Sequence, residues 1–429
     1  MEYRERQVVN GAEGNGKNFQ HSLKMRCASI TSLEVMEVKR LRTAGSILLL
    51  SAQNSAEDSD ASSDEGDAAV HLALMMDRRI KKLVGVRRVR LRIIPPKIMT
   101  VEALDEDYCK YNLRFLKADL PSLMKKLEIP DFFRLGNRGV HRGEKGFLLL
   151  LRRMAFPGRW TDLEMEFGLE YSTLSRLFNT VLRWMNDNHS FRINNYLNFW
   201  RPYMHMLERA VRRKGVPDGY QGINSFIDGT VRACAVPSDG PNRIVDAQRE
   251  FYSGHKRKHG FKFQSVMLPN GMIMDLFGPV VGRRHDSALL TQSGLNNRIL
   301  TMLQPLRPCN YYTYGDAAYP EYPMWLKKGG RNHQGAIVGD VDGAQREAAY
   351  RQLSNHRICV EWGFGKITSL WGFLDHPKNL KVFLQPIATM YRVMGFLTNC
   401  HTTLYGSETT EHFECRPPTL KAYLSGVSD

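Results

Sequence analysis

The sequence predicts a mixed α/β domain preceded by a helical segment, and three stretches carry that prediction. Residues 223–227 form a mostly apolar run that delivers Asp228 at its end and breaks at Gly229. Residues 261–268 alternate: Phe261, Phe263, Ser265 and Met267 share one side, and Lys262, Gln264, Val266 and Leu268 the other. That is the period of a strand. Pro269, Asn270 and Gly271 follow, and Asn-Gly is the strongest short hairpin signal, so 272–277 returns as the partner strand. Third, Gly282-Arg-Arg-His-Asp286-Ser287 leads into a periodic run over 288–300. The order is strand, strand, strand, helix, with acids at element ends rather than on faces.

The 429 residues suffice for two or three domains, and 42% hydrophobic content supports a folded chain. The first expected region is 1–97. An acidic run (Glu57, Asp58, Asp60, Asp64, Glu65, Asp67) precedes a basic one (Arg78, Arg79, Lys81, Lys82, Arg87, Arg88, Arg90, Arg92). Opposed charge blocks of this kind predict a disordered tail. The basic run reads equally as a nuclear-import signal, a DNA-binding arm or a solvated tail.

Residues 98–215 read as helical. Asp119 with Leu120, Leu123, Met124 and Leu127 predicts a capped amphipathic helix, and 147–154 a buried one. Thr161 with Glu164 reads as a capping box, followed by a Gly168-Leu169 turn. Ser172 is the expected cap of the next helix, whose apolar set is Leu174, Leu177, Phe178, Val181, Leu182 and Met185. The other face shows Thr173, Arg176, Thr180 and Arg183. Short helix, glycine turn and a second helix with a basic face is a helix-turn-helix pattern, with Arg176 and Arg183 as DNA contacts. A plain packing unit gives the same pattern.

Residues 216–405 form the mixed α/β part. A tyrosine-rich strand over 310–315 ends at Asp316. A helix is predicted over 343–370, where Arg357 and Glu361 stand one turn apart. Another covers 380–400, interrupted at Pro386. The tail, 406–429, carries little signal.

Charge and cysteines bound the function. A net charge of +16 suggests a polyanion, nucleic acid before anionic membrane, although a merely soluble basic protein looks the same. Seven scattered cysteines without a CxxC pair fit free thiols in a reducing compartment. No apolar run approaches the ~20 residues of a spanning helix, and no signal-peptide pattern begins the chain.

Four acids then stand out: Asp228, Asp286, Asp316 and Glu361. Each has a bland reading, as a turn former, an N-cap, a strand-end cap and a partner of Arg357. Together, on strand ends, a helix start and a later helix, they suit a hard divalent cation, which prefers carboxylate oxygens. Two such ions ~3.5–4 Å apart support phosphoryl transfer. His255 and His259 have a zinc-like spacing but lack a third soft ligand. Lys256, Arg257, Lys258 and Arg284 read as phosphate contacts beside the acids. Gly363-Phe-Gly365-Lys366 lacks the Walker spacing, and no Gly-x-Ser-x-Gly elbow occurs.

As an ordered series, the blocks around Asp228-Gly-Thr, Tyr252-Ser-Gly-His-Lys, His285-Asp286-Ser287, Gly315-Asp316, Tyr319-Pro320 and Arg357, Val360-Glu361, Phe364-Gly365-Lys366 resemble the DDE nuclease domain of Harbinger-type transposases. The likeness covers about 140–400. It implies a ribonuclease H-like mixed sheet flanked by helices, Mg²⁺ (with Mn²⁺ as the alternative) and cleavage of DNA at transposon terminal repeats in the nucleus. In its triad the first position maps to Asp228 and the last to Glu361, with Asp286 and Asp316 both open for the middle. It further implies a Myb-like partner protein and leaves a homo-oligomer as an option. Trp362-Gly363 departs from the bulkier or charged residues usual there. The alternative from a different class is a transposase-derived DNA-binding or adaptor protein that no longer cuts.

Overall fold

A computed structural model describes residues 97–428, apart from 98, 137–138, 217–219, 238–246, 255, 308–309, 320–324, 328–342 and 383. The charged blocks of the first 96 residues, His255 and Pro320 therefore lie outside the described residues. Residues Ile94–Asp429 cluster as one compact unit.

The unit is built on a mixed sheet. β3 (Ile223–Ala233) is its central strand, and β5 (Lys258–Met267) runs antiparallel beside it. β6 (Ile273–Val281) pairs antiparallel with the far side of β5. The predicted Asn270-Gly271 turn joins the two, closed by Gly271 N–H donating to Leu268 O at 2.9 Å. On the other flank β7 (Tyr312–Gly315) and β8 (Trp325–Lys327) run parallel to β3. The short β4 (Tyr252–Ser253) pairs with the start of β5. The order β6-β5-β3-β7-β8, three antiparallel strands followed by two parallel ones, is consistent with a ribonuclease H-like architecture.

One expectation changes here. β3 does not end at Gly229 but continues to Ala233, with Gly229 opposite Gln264. Glycine is a weak strand residue, yet the ladder to β5 holds it in register. Asp228 is thus carried within the strand, opposite Ser265.

Before the sheet come α1 (Asp119–Lys126), a hairpin of β1 (Phe132–Arg134) and β2 (Val140–Arg142), α2 (Gly143–Ala155), α3 (Trp160–Phe167), α4 (Tyr171–His189) and α5 (Met204–Arg213). The hairpin is an addition to a segment read as helical. α3 starts earlier than expected: Arg159 N–H donates to Asp162 Oδ2 at 2.8 Å. Thr161 is already inside the helix, and Glu164, expected in its box, instead accepts from Tyr171 N–H at 2.9 Å. Gly168, at φ 63°, ends α3 in the left-handed conformation that costs glycine least. Nor does Ser172 cap α4, which begins at Tyr171 after Glu170. Asp119 likewise opens α1 rather than preceding it, and its Oδ2 accepts from the Tyr405 hydroxyl at 2.6 Å.

The six apolar residues predicted for α4 are all buried. Each contributes about 1.5–3 kcal/mol relative to exposure. They enter the same core as the sheet: at the end of α4, His189 stacks on Phe396 with centroids 5.3 Å apart. After β6 come α6 (Asp286–Ser293) and α7 (Leu295–Leu303), then α8 (Gly343–Leu370) after β8. α9 (Ile387–Tyr405) starts immediately after Pro386, as a helix-breaking residue tolerated at an N-terminus requires. α10 (Glu408–Phe413) and α11 (Leu420–Ser425) follow, with Phe413 and Tyr423 fully buried. The tail read as uninformative therefore closes the core. No helix among the described residues is long and apolar enough to cross a membrane.

Candidate active site

The parallel register of β3 with β7 builds the first half of the site. Phe226 is level with Tyr314, so Asp228 on β3 and Asp316, the residue after β7, each follow two residues beyond that pair. Neighbouring strands lie about 4.8 Å apart, and residues two apart share a face. Asp316 Oδ1 accepts from Ala318 N–H at 2.7 Å, which fixes the turn beyond the strand. Asp228 Oδ1 accepts from Gly229 N–H at 2.8 Å.

Asp286 arrives from α6, whose first residue it is. Its carboxylate meets the positive end of the helix dipole there. It comes up against Gly229, where an added Cβ would stand 2.5 Å from Asp286 Oδ1. Here glycine makes room for a carboxylate. Lys262 Nζ lies 2.9 Å from the same oxygen and donates to Arg284 O at 2.9 Å.

The three aspartates share one electrostatic environment. Burial raises the Asp228 carboxyl above the ordinary aspartate range, the Arg357 guanidinium opposes this, and Asp316 and Asp286 add to the rise. Tyr319, buried against Gly315, feels burial first and then Asp286, Asp228 and Asp316, so its hydroxyl is held well above the usual tyrosine value. The counter-charge is supplied by side chains: Arg357 Nη1 of α8 donates to Asp228 Oδ2 in a half-buried ion pair.

Glu361 is placed differently. It is exposed on α8, one turn beyond Arg357. It lines a cavity of about 550 Å³ with Ile358, Trp362, Gly365, Lys366 and His401, a cavity the aspartates do not line. Burial lowers Lys366 to about 8, and its ammonium donates to Thr402 Oγ1 at 2.9 Å and to Gly406 O. Burial holds His401 down at about 3, so its ring is neutral at pH 7.

The chemistry of the acids fits a hard divalent cation, because crowded carboxylate oxygens are what Mg²⁺ and Mn²⁺ seek. Their spacing is not closed around one: among the described residues no three His, Cys, Asp or Glu side chains form a metal-sized group. Arg357 and Lys262 stand against two of the acids instead.

The other expected contacts are spread wider. Lys256 and Arg257 are exposed between β4 and β5, Lys258 is exposed at the start of β5, and Arg284 is exposed shortly before α6. Arg283 pairs with Glu250 at 2.9 Å. Arg176 and Arg183 are exposed on α4, and Arg176 Nε donates back to Ser172 O at 3.1 Å. His259 lies edge-on to the Tyr252 ring at 5.3 Å.

Residues 227–399, the span from β3 through most of α9, match the family model described as DDE superfamily endonuclease. This part of the chain is similar to the DDE superfamily endonucleases. Its match begins one residue before Asp228 and includes Asp286, Asp316 and Glu361. No curated protein and no solved structure matches the chain. Sequence reasoning assigned no role within the endonuclease domain to Lys262 or Tyr319, and it paired Arg357 with Glu361. Tyr319 stood in a quoted motif, and Lys262 was an odd charge on an otherwise buried strand; those were the available signals.

Proposed function

We propose that the chain is a metal-dependent DNA endonuclease of the transposase type, acting in the nucleus. The observation that carries this reading is the gathering of Asp228, Asp286 and Asp316 at one end of the sheet, inside a DDE endonuclease match. In the proposal Asp228, Asp286 and Asp316 would hold one or two divalent cations, Mg²⁺ or Mn²⁺, while Glu361 opens onto a neighbouring cavity of α8. Such a cation, when bound, lowers the pKa of water and neutralises charge on the leaving oxygen. Water oxygen bonds to phosphorus, the bond to the 3′ oxygen breaks, and a 3′-hydroxyl and a 5′-phosphate remain. The released 3′-hydroxyl oxygen then bonds to a phosphorus of a second DNA strand in the same site, and that strand's own 3′ oxygen leaves as a new 3′-hydroxyl.

The chain's own residues orient the strand. Lys256, Arg257, Lys258 and Arg284 lie on the loops flanking β5 and the start of α6, where they meet phosphates near Asp286. Arg176 and Arg183 on α4 hold DNA at a distance from the chemistry. Phosphate contacts position a duplex and carry no base information. A second reading, a DNA-binding protein that does not cut, draws support from Arg357, whose guanidinium already satisfies Asp228.

Nicking of terminal-repeat duplex in Mg²⁺ separates the two. The wild type is expected to cut, and Asp228→Asn to lose on the order of 10³-fold in rate while still binding DNA. A wild type that binds the duplex and never cuts it, in Mg²⁺ or Mn²⁺, leaves the binding protein.

A further inference from the structure

We propose that Arg357 is a resident counter-ion of Asp228 that must leave before a divalent cation can use that carboxylate. This rests on the endonuclease reading above and adds a residue to it. Three features of the site support it.

The first is competition for one carboxylate. Arg357 Nη1 donates to Asp228 Oδ2, while Asp228 Oδ1 is engaged by Gly229 N–H. A cation arriving at Oδ2 therefore meets the guanidinium, and one arriving at Oδ1 sits beside it on the same carboxylate. Both groups carry positive charge, and they cannot share it at contact distance without strong repulsion.

The second is the need for a counter-charge. Asp228 is four-fifths buried and has Asp316 and Asp286 as neighbours. An ionised carboxylate in such a place is costly without a partner. Arg357 supplies that partner in the cation-free state, and a divalent cation supplies it otherwise.

The third is freedom to move. Arg357 retains 21% of its side-chain exposure, so an outward rotation has solvent to enter. α8 need not follow it. Cys359 and Val360 are fully buried, and Arg232 Nη2 on β3 donates to Phe364 O of α8 at 3.1 Å. The helix is anchored from Cys359 onward whatever Arg357 does. Asp286 has a similar arrangement with Lys262, but there the ammonium is also tied to Arg284 O.

The experiment is Mn²⁺ titration of the full chain at pH 8, read by electron paramagnetic resonance of the free ion, without DNA. Wild type, Arg357→Gln, Arg357→Lys, Asp228→Asn and Arg209→Gln are compared. Arg209 is exposed on α5 and controls for the loss of one positive charge. Arg357→Gln is expected to tighten the Asp228-dependent site about tenfold, Arg357→Lys and Arg209→Gln to stay near wild type. If Arg357→Gln does not fold, the alternative variant Arg357→Met, checked by thermal melting, takes its place. Asp228-dependent binding that is unchanged or weakened by removing Arg357 overturns the counter-ion role and leaves the metal site standing. Wild-type binding indifferent to Asp228→Asn overturns the metal reading itself, and the counter-ion role with it.

Discussion

Asp275 on β6 and Asp228 on β3 each hold an arginine, two strands apart in one sheet. Asp275 is 1% exposed, and Arg298 Nη1 donates to its Oδ1 at 2.7 Å. Arg298 also donates to Asn194 O and, at 3.4 Å, to Ser293 O. One guanidinium thus ties β6 to the end of α6 and to the turn after α4. Asp228 is 18% exposed, its arginine 21%, and two further acids stand near. The first pair is closed by three protein acceptors. Among the described residues the second arginine has Asp228 as its one hydrogen-bond acceptor. The same chemistry is a fastening where the arginine is multiply bound and an exchangeable charge where it is not.

Substitution should separate the two most sharply. Asp275→Ala leaves Arg298, 27% exposed, without its buried carboxylate; breaking a fully buried pair typically costs about 3–5 kcal/mol, so we expect a loss of up to about 3 kcal/mol in urea unfolding. Asp228→Asn should leave the midpoint within about 1 kcal/mol of wild type, since an amide of the same shape still accepts from Gly229 N–H or Arg357. A comparable loss from both would mean that Asp228 is a fastening as well, and the contrast would fail.

How far the sequence disclosed this contrast depends on locality. The β5–β6 hairpin, the helix over 343–370, Asp316 at a strand end and Asp286 at a helix start are local signals, and each was legible. Asp275 was not, because it lies inside a strand and its arginine is on α7, beyond a whole helix. Arg357 misled for the opposite reason: a local rule pairs it with Glu361, but the packing of α8 on β3 brings Asp228 within reach. Gly229 read as a break because glycine usually is one; its purpose here, room for Asp286, exists only in three dimensions. α10 and α11 have six residues each, too few for a helical period to register, although Phe413 and Tyr423 are buried.

Acid acts with opposite sign on Asp275 and on a second buried group, His189. His189 is buried between Leu127 O, at 3.0 Å, and Arg192, and burial followed by the Arg192 charge pushes it down to about 4. Between pH 6.5 and 4 the unfolded chain binds this proton and the folded chain does not, so stability falls as pH falls through that window. At about 1.4 kcal/mol per pH unit the loss reaches about 3 kcal/mol. Asp275, raised to about 6 by burial, works the other way: its proton is held by the folded state from about pH 6 down to the unfolded value of 3.8. Acid therefore relieves the buried carboxylate while it loads the buried imidazole. These two contributions nearly cancel, and His401, held at about 3 by burial, adds a second loss, so melting from pH 7 to 4 should show a net fall that His189→Gln shrinks. A slope that His189→Gln leaves unchanged would assign the acid sensitivity to other groups.

Salt is expected to make the smallest difference, and it tests exchangeability directly. Lys262 and Asp286 form the intermediate case, 14% and 25% exposed with the charges 2.9 Å apart. A partly exposed pair of this kind contributes roughly 0.2–1 kcal/mol. The Debye length shrinks from about 10 Å at 0.1 M salt to about 3 Å at 1 M. Lys262→Gln should then cost up to about 1 kcal/mol in dilute buffer and markedly less in 1 M NaCl. Arg298→Gln should cost nearly the same in both, because the Asp275 carboxylate is out of reach of mobile ions. If the Lys262 penalty were as salt-blind as that of Arg298, the acids beside Gly229 would be sealed from solvent, and a dissolved cation would have no route to them.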